Sequence, residues 1–515
     1  MQIKYLFLPH LYFFISLFSQ AQPKYEFRGV WIATVDNIDW PPRNSSTEEQ
    51  KADFVRQLEL HQKNGMNAII AQVRPAADAF YPSPYEPWSQ WLTGTQGQPP
   101  SPYYDPLQFM IDECHKRGME LHAWLNPYRA NFNINTASIA PNHITRIHPE
   151  WFLTYGDKKY FDPGNKEAQQ FVVKVVRDIV KRYDIDAIHM DDYFYPYRIP
   201  GKEFPDEASY KNSQSTLKKD DWRRSNVDSI IQALSVAIKR EKKMCRFGIS
   251  PFGVWRNKKD DPEGSDSKTA QTNYDDLYAN VLLWLKKGWI DYVTPQLYRA
   301  INDDKMAYEK LLDWWSRHSY GKQVYIGHGI YRATGKEEPW NDPKQLPEQI
   351  KLLRRYPNVH GSIYFSSKSF NNNPNGWNDS LQNNYYRYPA LLPPMRWIHN
   401  EKPWPPIVDR KITNDSIIQL NVRPDPRNHV DIKYYVVYQY AADSHGETFG
   451  NQPKYLTKIV TMPQGFQLKE ILSSSHFSYR YVITAVGKNN QESELSEIAI
   501  VVQPDGKWQF YAPNP

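Results

Sequence analysis

Only two cysteines, Cys114 and Cys245, occur in 515 residues, so no disulfide scaffold is available; both read as buried thiols, and burial of apolar surface must hold the fold. A Gly-rich phosphate turn is missing after the first apolar run, where residues 31–40 read WIATVDNIDW, which argues against an open dinucleotide-binding sheet. Arginine-rich runs and zinc-finger spacings are absent too, and the net charge of +6 is spread along the chain, so no nucleic-acid partner is indicated. A membrane span needs roughly 20 uninterrupted apolar residues. The apolar run from Tyr5 to Phe18 is shorter, and Pro9 and His10 break it. With Lys4 near its start and Ser19 and Ala21 behind it, residues 1–21 read as a bacterial signal peptide cleaved after Ala21. No cysteine follows to carry a lipid anchor, so the mature chain is expected to be exported and soluble, in the periplasm or at the cell surface.

Aromatic side chains are abundant instead. Many of the 17 Trp and 36 Tyr lie in loops rich in Pro, Asn and Asp, where an exposed ring is suited to stack on a sugar; the rest fill the core.

The chain is too long for one hydrophobic core. Residues 26–394 repeat one unit, a short apolar run, a loop and an amphipathic stretch. Eight runs are present: Phe27 to Thr34, Ala68 to Val73, Glu120 to Asn126, Ala187 to Asp191, Arg246 to Ser250, Tyr292 to Pro295, Val324 to Gly329 and Gly361 to Phe365. Helix ends are legible between them. Thr47 with Gln50 reads as a capping box, and Asp105-Pro106 as an N-cap with proline at the first helical position of a stretch ending at Gly118. Eight alternations of strand and helix predict an α/β fold, a (β/α)8 TIM barrel. Residues 395–406 form a Pro-rich linker, and from 407 to 505 strands recur without helices, as in a β-sandwich of about 100 residues. Within it, residues 436–438, 481–489 and 494–497 resemble late strands of a fibronectin type III module, expected to serve as a spacer or packing partner.

In such a barrel the chemistry sits at the C-terminal ends of the strands. The carboxylates there are Asp36 and Asp39, Asp78, and the adjacent pair Asp191-Asp192. Ordinary glycosidases hold two carboxyls on opposite sides of the scissile bond, roughly 5 to 9.5 Å apart. An adjacent pair suits a substrate-assisted route, in which the sugar's 2-acetamido oxygen attacks C1, one Asp orients the acetamide and the other, its pKa raised by its neighbour, protonates the leaving oxygen. Asp191 and Asp192 are the expected catalytic residues, with Asp192 as the acid; the alternative is that Asp191 braces the loop and Asp192 alone meets substrate. Asp36 or Asp39 would supply the second carboxylate of a conventional mechanism, or cap the long first loop.

The residues expected to bind substrate are Asp36, Arg74, His122, Trp124, Asn126, Tyr128, Tyr193, Trp255, Gln296 and Tyr298. Asn126 and Gln296 are amides placed to hold hydroxyl or acetamide groups, and Arg74 either meets a sugar-borne carboxylate or pairs with Asp78 or Asp191. His122 and His189 on neighbouring strands raise a metal site with Asp191, but no His-x-His marks the first strand, and neither metal nor cofactor is expected. The oligomeric state is not legible.

The segments FRGVWIATVDNIDWP, NAIIAQVRPAADAFYPS, LHAWLNPYR, IDAIHMDDYFYPY, FGISPFGVWRN and YVTPQLYR together resemble the glycosyl hydrolase-like family 10 group, from about Glu26 to Pro394. The resemblance implies a (β/α)8 barrel and glycan hydrolysis and, through the family's characterised member, peptide-free strands of N-acetylglucosamine and N-acetylmuramic acid as substrate. The family's motifs fall on Asp191 and Asp192, Asn126 to Arg129, Arg74, and Gln296 with Tyr298. The competing readings are a barrel that binds glycans without cleaving them and a hydrolase of another polysaccharide.

Overall fold

A computed structural model describes residues 22–134, 139–334, 337–414, 417–441, 450–471, 479–496, 499–502 and 508–511. The segment read as a signal peptide, residues 1–21, lies outside them. Each of the eight apolar runs forms a strand: β1 (Phe27–Ile32), β2 (Ala68–Arg74), β3 (Glu120–Leu125), β4 (Ala187–Met190), β5 (Arg246–Ile249), β6 (Tyr292–Val293), β7 (Gln323–His328) and β8 (Val359–Tyr364). They pair in parallel around a closed barrel, β8 returning to β1 through Phe27↔Gly361 to Val30↔Tyr364. Closure leaves the barrel no unpaired edge.

Strand alternation sorts the side chains. Val30, Ile32, Ile69 and Ala71 face the surrounding helices, whereas Phe27, Trp31, Ala68, Ile70, Tyr292 and Tyr325 fill the interior. Gly248 makes room for the largest of these: a Cβ there would lie 1.9 Å from Tyr292 Cζ. The Tyr292 hydroxyl lies 2.9 Å from Nδ1 of both His122 and His189. Trp31 Nε1 donates to His189 Nε2, so His189 carries its proton on Nδ1, while His122 Nε2 lies 3.1 Å from Glu120 Oε2 and 3.0 Å from Arg246 Nη2. Burial depresses the pKa of both histidines, His122 to about 3. The interior is therefore a packed, hydrogen-bonded column that ends on the buried Arg246–Glu120 ion pair, not a channel.

Helix ends follow local chemistry. The first long helix, Thr47–Lys63, is capped by Ser46 with Glu49, one residue earlier than Thr47 with Gln50, because Thr47 Oγ1 donates instead to Pro102 O. Helix Pro106–Lys116 is capped by Asp105, which accepts from Gln108 N, as its sequence predicts. Cys114 and Cys245 are both free and buried. Among the described residues no helix is long and apolar enough to cross a membrane.

Beyond the barrel stand two antiparallel three-stranded sheets. One joins Ile407–Asn414, Ile417–Arg423 and Phe466–Ile471; the other joins Leu456–Val460, Ile432–Ala441 and Tyr479–Gly487. Val408, Leu420 and Val422 of the first pack against Tyr435, Val437 and Ile483 of the second. Trp508–Tyr511 pairs with Ala499–Val502, past residue 505 where the module was expected to end. The module is fixed to the N-terminal end of the barrel. Lys433 Nζ reaches Glu120 Oε1 at 2.7 Å and Asp186 Oδ1 at 3.0 Å, and Asn490 Nδ2 donates to Glu120 Oε1. The Pro-rich segment is packed as well: Met395 N donates to Asn489 O, and Trp397 Nε1 to Asp291 Oδ1. A cavity of about 800 Å³ opens between module and barrel at that end, lined by Lys116, Met119, Met244 and Met462 among others. It lies at the opposite end of the strands from Asp191 and Asp192.

Candidate active site

Strand β4 ends at Met190, and the chain then presents Asp191 and Asp192, both buried, at the C-terminal mouth of the barrel. Asp191 continues the inward-facing series of Ala187 and His189. Its carboxylate accepts from Trp124 Nε1 at 3.1 Å, from Asn126 Nδ2 at 3.2 and 3.3 Å, and from Tyr193 N at 3.4 Å. Burial raises its pKa, opposed by the charge of Arg129 and by these donors.

Asp192 is held differently. The Tyr197 hydroxyl donates to its Oδ2, and the Gln296 amide also reaches it. Burial and the charge of Asp191 push its pKa up to about 7. Burial thus raises both carboxyls, while Asp191 also faces the charge of Arg129 and Asp192 the charge of its neighbour.

Aromatic rings surround the pair. Tyr298 stacks on Phe365 with centroids 6.0 Å apart, Phe365 meets Trp31 edge-on at 6.1 Å, and Tyr331, partly exposed, stands edge-on to both Tyr298 and Phe365. Tyr193 meets Tyr197 at 5.4 Å, and Tyr197 meets Phe252 at 6.4 Å. Such half-buried rings offer apolar faces to the flat sides of a pyranose.

Of the residues expected to bind substrate, Trp124, Asn126, Tyr193, Gln296 and Tyr298 gather here with Asp191 and Asp192. The other five lie apart. Arg74 is fully buried and bidentate to Glu86, with Nε–Oε2 2.8 Å and Nη2–Oε1 2.6 Å, and its Nη1 donates to the carbonyls of Asn126 and Pro127. It props the Asn126 loop from below. His122 is in the interior column, three residues short of the strand end at Leu125. Tyr128 is wholly buried in the main core, and Trp255 packs on Trp314 and Tyr274. Asp36 is exposed at the rim, paired with Arg43.

Asp39 braces the mouth: it accepts from Ala33 N, Ser366 Oγ and Lys368 N, tying the loop after β1 to that after β8. Asp78, whose pKa burial raises to about 7, is held by Gln96. No three His, Cys, Asp or Glu side chains converge as metal ligands among the described residues. Two contributors to the site had no mark in the sequence reading, Tyr197 and Phe365. The tyrosine-rich run after the aspartate pair was the available sign of the first.

The profile of a protein family described as glycosyl hydrolase-like 10 matches residues 26–345, ending ahead of β8. The chain is 42% identical over 498 residues to "Glycosyl hydrolase YngK" of Bacillus subtilis, covering 94% of this chain and 95% of that protein. It is 37% identical over 379 residues to "Glycosyl hydrolase DigH" of Escherichia coli K12, covering 68% and 85%. A solved glycoside hydrolase domain, PgaB (BpsB) of Bordetella bronchiseptica, covers 70% of this chain and 98% of its own at 11% identity, with a TM-score of 0.43, too remote to inform the site.

Proposed function

The chain belongs to the glycosyl hydrolase-like 10 family, and from that premise we propose that it is an exported glycoside hydrolase of N-acetylated glycans, peptide-free peptidoglycan strands in particular, with Asp191 and Asp192 as its catalytic carboxylates. The observation that carries the reading is geometric: two adjacent buried aspartates stand at the barrel mouth, Asp191 held by Trp124 and Asn126 and Asp192 by Tyr197, among half-buried aromatic rings. In the proposed step the 2-acetamido carbonyl oxygen of the bound sugar attacks C1, the bond from C1 to the glycosidic oxygen breaks, and the Asp192 proton passes to that oxygen. Asp191 accepts the acetamido N–H and stabilises the positive charge of the cyclic intermediate. Water then attacks C1, returning its proton to Asp192. The stacked Tyr298 and Phe365 support the sugar ring. Residues 1–21 serve as the export signal, and the two facing sheets support a fibronectin type III-like module acting as a packing partner, since it docks away from the mouth.

Mass spectrometry of products tests this reading. Peptide-free strands incubated with the wild type should yield new saccharide fragments, and Asp192→Asn should yield none on the same timescale. Binding without fragments would favour a glycan-binding barrel, and cleavage confined to another polysaccharide would displace the substrate.

The acid must be protonated, so kcat/KM should fall as pH rises through about 7. The Tyr197 hydroxyl donates to the carboxylate and so favours its ionised form. In Tyr197→Phe the Asp192 pKa should rise and the basic limb move up, by on the order of one pH unit. A limb that stays in place or moves down would dismiss that hydrogen bond as a determinant.

A further inference from the structure

Arg129 opens a short inserted strand, Arg129–Asn131, paired with Lys158–Phe161 above the barrel mouth. Its backbone N–H donates at 2.8 Å to Asn126 Oδ1, and the same Asn126 amide donates to Asp191. One side chain therefore fixes Arg129 relative to the catalytic pair. The residue is only 6% exposed. Its guanidinium lies 4.7 Å from the centroid of the Tyr193 ring and 5.6 Å from that of Phe132, clamped between aromatic faces.

What it lacks is an acceptor. Among the described residues no oxygen accepts a hydrogen bond from the guanidinium, no carboxylate pairs with it, and its Nε is buried without a partner. Two other buried arginines each have a carboxylate partner, Arg74 in Glu86 and Arg223 in Asp206. Asp191 acts on Arg129 through charge without forming an ion pair. A nearly buried cation with idle donors is costly unless an anion arrives to use them. A planar fork held between two rings matches a carboxylate edge.

We infer that Arg129 reads a carboxylate carried by the sugar bound at Asp191 and Asp192. The inference rests on the glycan-hydrolase reading and deepens it by assigning the side chain that recognises the anionic group of that substrate. A lactyl ether on the sugar supplies such a group when free, and loses the charge once amide-linked to a peptide.

The test compares two forms of one substrate, peptide-free strands with native carboxylates and the same strands with those carboxylates reduced to alcohols, the acetamides intact. Wild-type kcat/KM should drop about 10- to 100-fold on the reduced strands. Arg129→Gln should show a drop of that size on native strands and no further loss on reduced ones, and Arg129→Lys should recover part of the native rate. Equal wild-type rates on both forms, or an Arg129→Gln defect of the same factor on both, would overturn the inference alone. Cleavage of neither form by the wild type would remove the substrate reading and the inference together. If Arg129→Gln does not fold, the wild-type comparison still decides.

Discussion

Asp192→Asn should fold normally and lose about 10²-fold or more in turnover, the loss expected when a general acid is removed. The variant keeps the shape of the side chain and an oxygen for the Tyr197 hydroxyl, so the loop after β4 has no reason to move. Its stability should respond to pH in a definite direction. The folded pKa of Asp192 is raised to about 7 from the ordinary carboxylate value, so the folded state binds a proton that the unfolded chain has released. That linkage costs stability progressively as pH rises from about 4 through 7. An uncharged Asn escapes the cost, and Asp192→Asn should melt at or above the wild-type temperature at pH 8. Wild-type turnover in this variant would take Asp192 out of the mechanism.

Glu86→Ala should be the most destabilising single change near the mouth, costing about 3–5 kcal/mol, because it strands the buried Arg74 charge. Both side chains of the pair are fully buried. The damage should not stop at stability. Arg74 Nη1 holds the carbonyls of Asn126 and Pro127, and Asn126 in turn holds Asp191 and the backbone of Arg129. Loss of activity under conditions where the variant remains folded is the expected second effect. Urea unfolding measures the first, and a midpoint equal to wild type would contradict the role given to the Arg74–Glu86 pair.

The barrel was legible because its strands announce themselves as apolar runs at regular intervals, each closed by a loop. Even β6, reduced to Tyr292–Val293, carried that signature. The aspartate pair was legible for the same reason, since it directly follows a strand. Depth was not. His122 stands on the correct face of β3 but three residues below the rim, and alternation cannot tell a rim residue from one in the column beneath it. Partners were not legible either. Arg74 meets Glu86 across an irregular loop, a geometry that no periodicity describes. Tyr197 reaches Asp192 only because the loop after β4 folds back on itself. In the C-terminal module, Leu456–Val460 and Tyr479–Gly487 follow from their apolar content.

Substrate assistance by an adjacent aspartate pair is most directly tested by proton NMR of the first products released from peptide-free glycan strands. Attack by the acetamido oxygen followed by water inverts C1 twice, so the new reducing ends should appear with the configuration of the bond that was cleaved. Reducing ends of inverted configuration would require a water activated by a carboxylate on the far side of the sugar, and would contradict the assignment of Asp191 and Asp192 to a single substrate-assisted step.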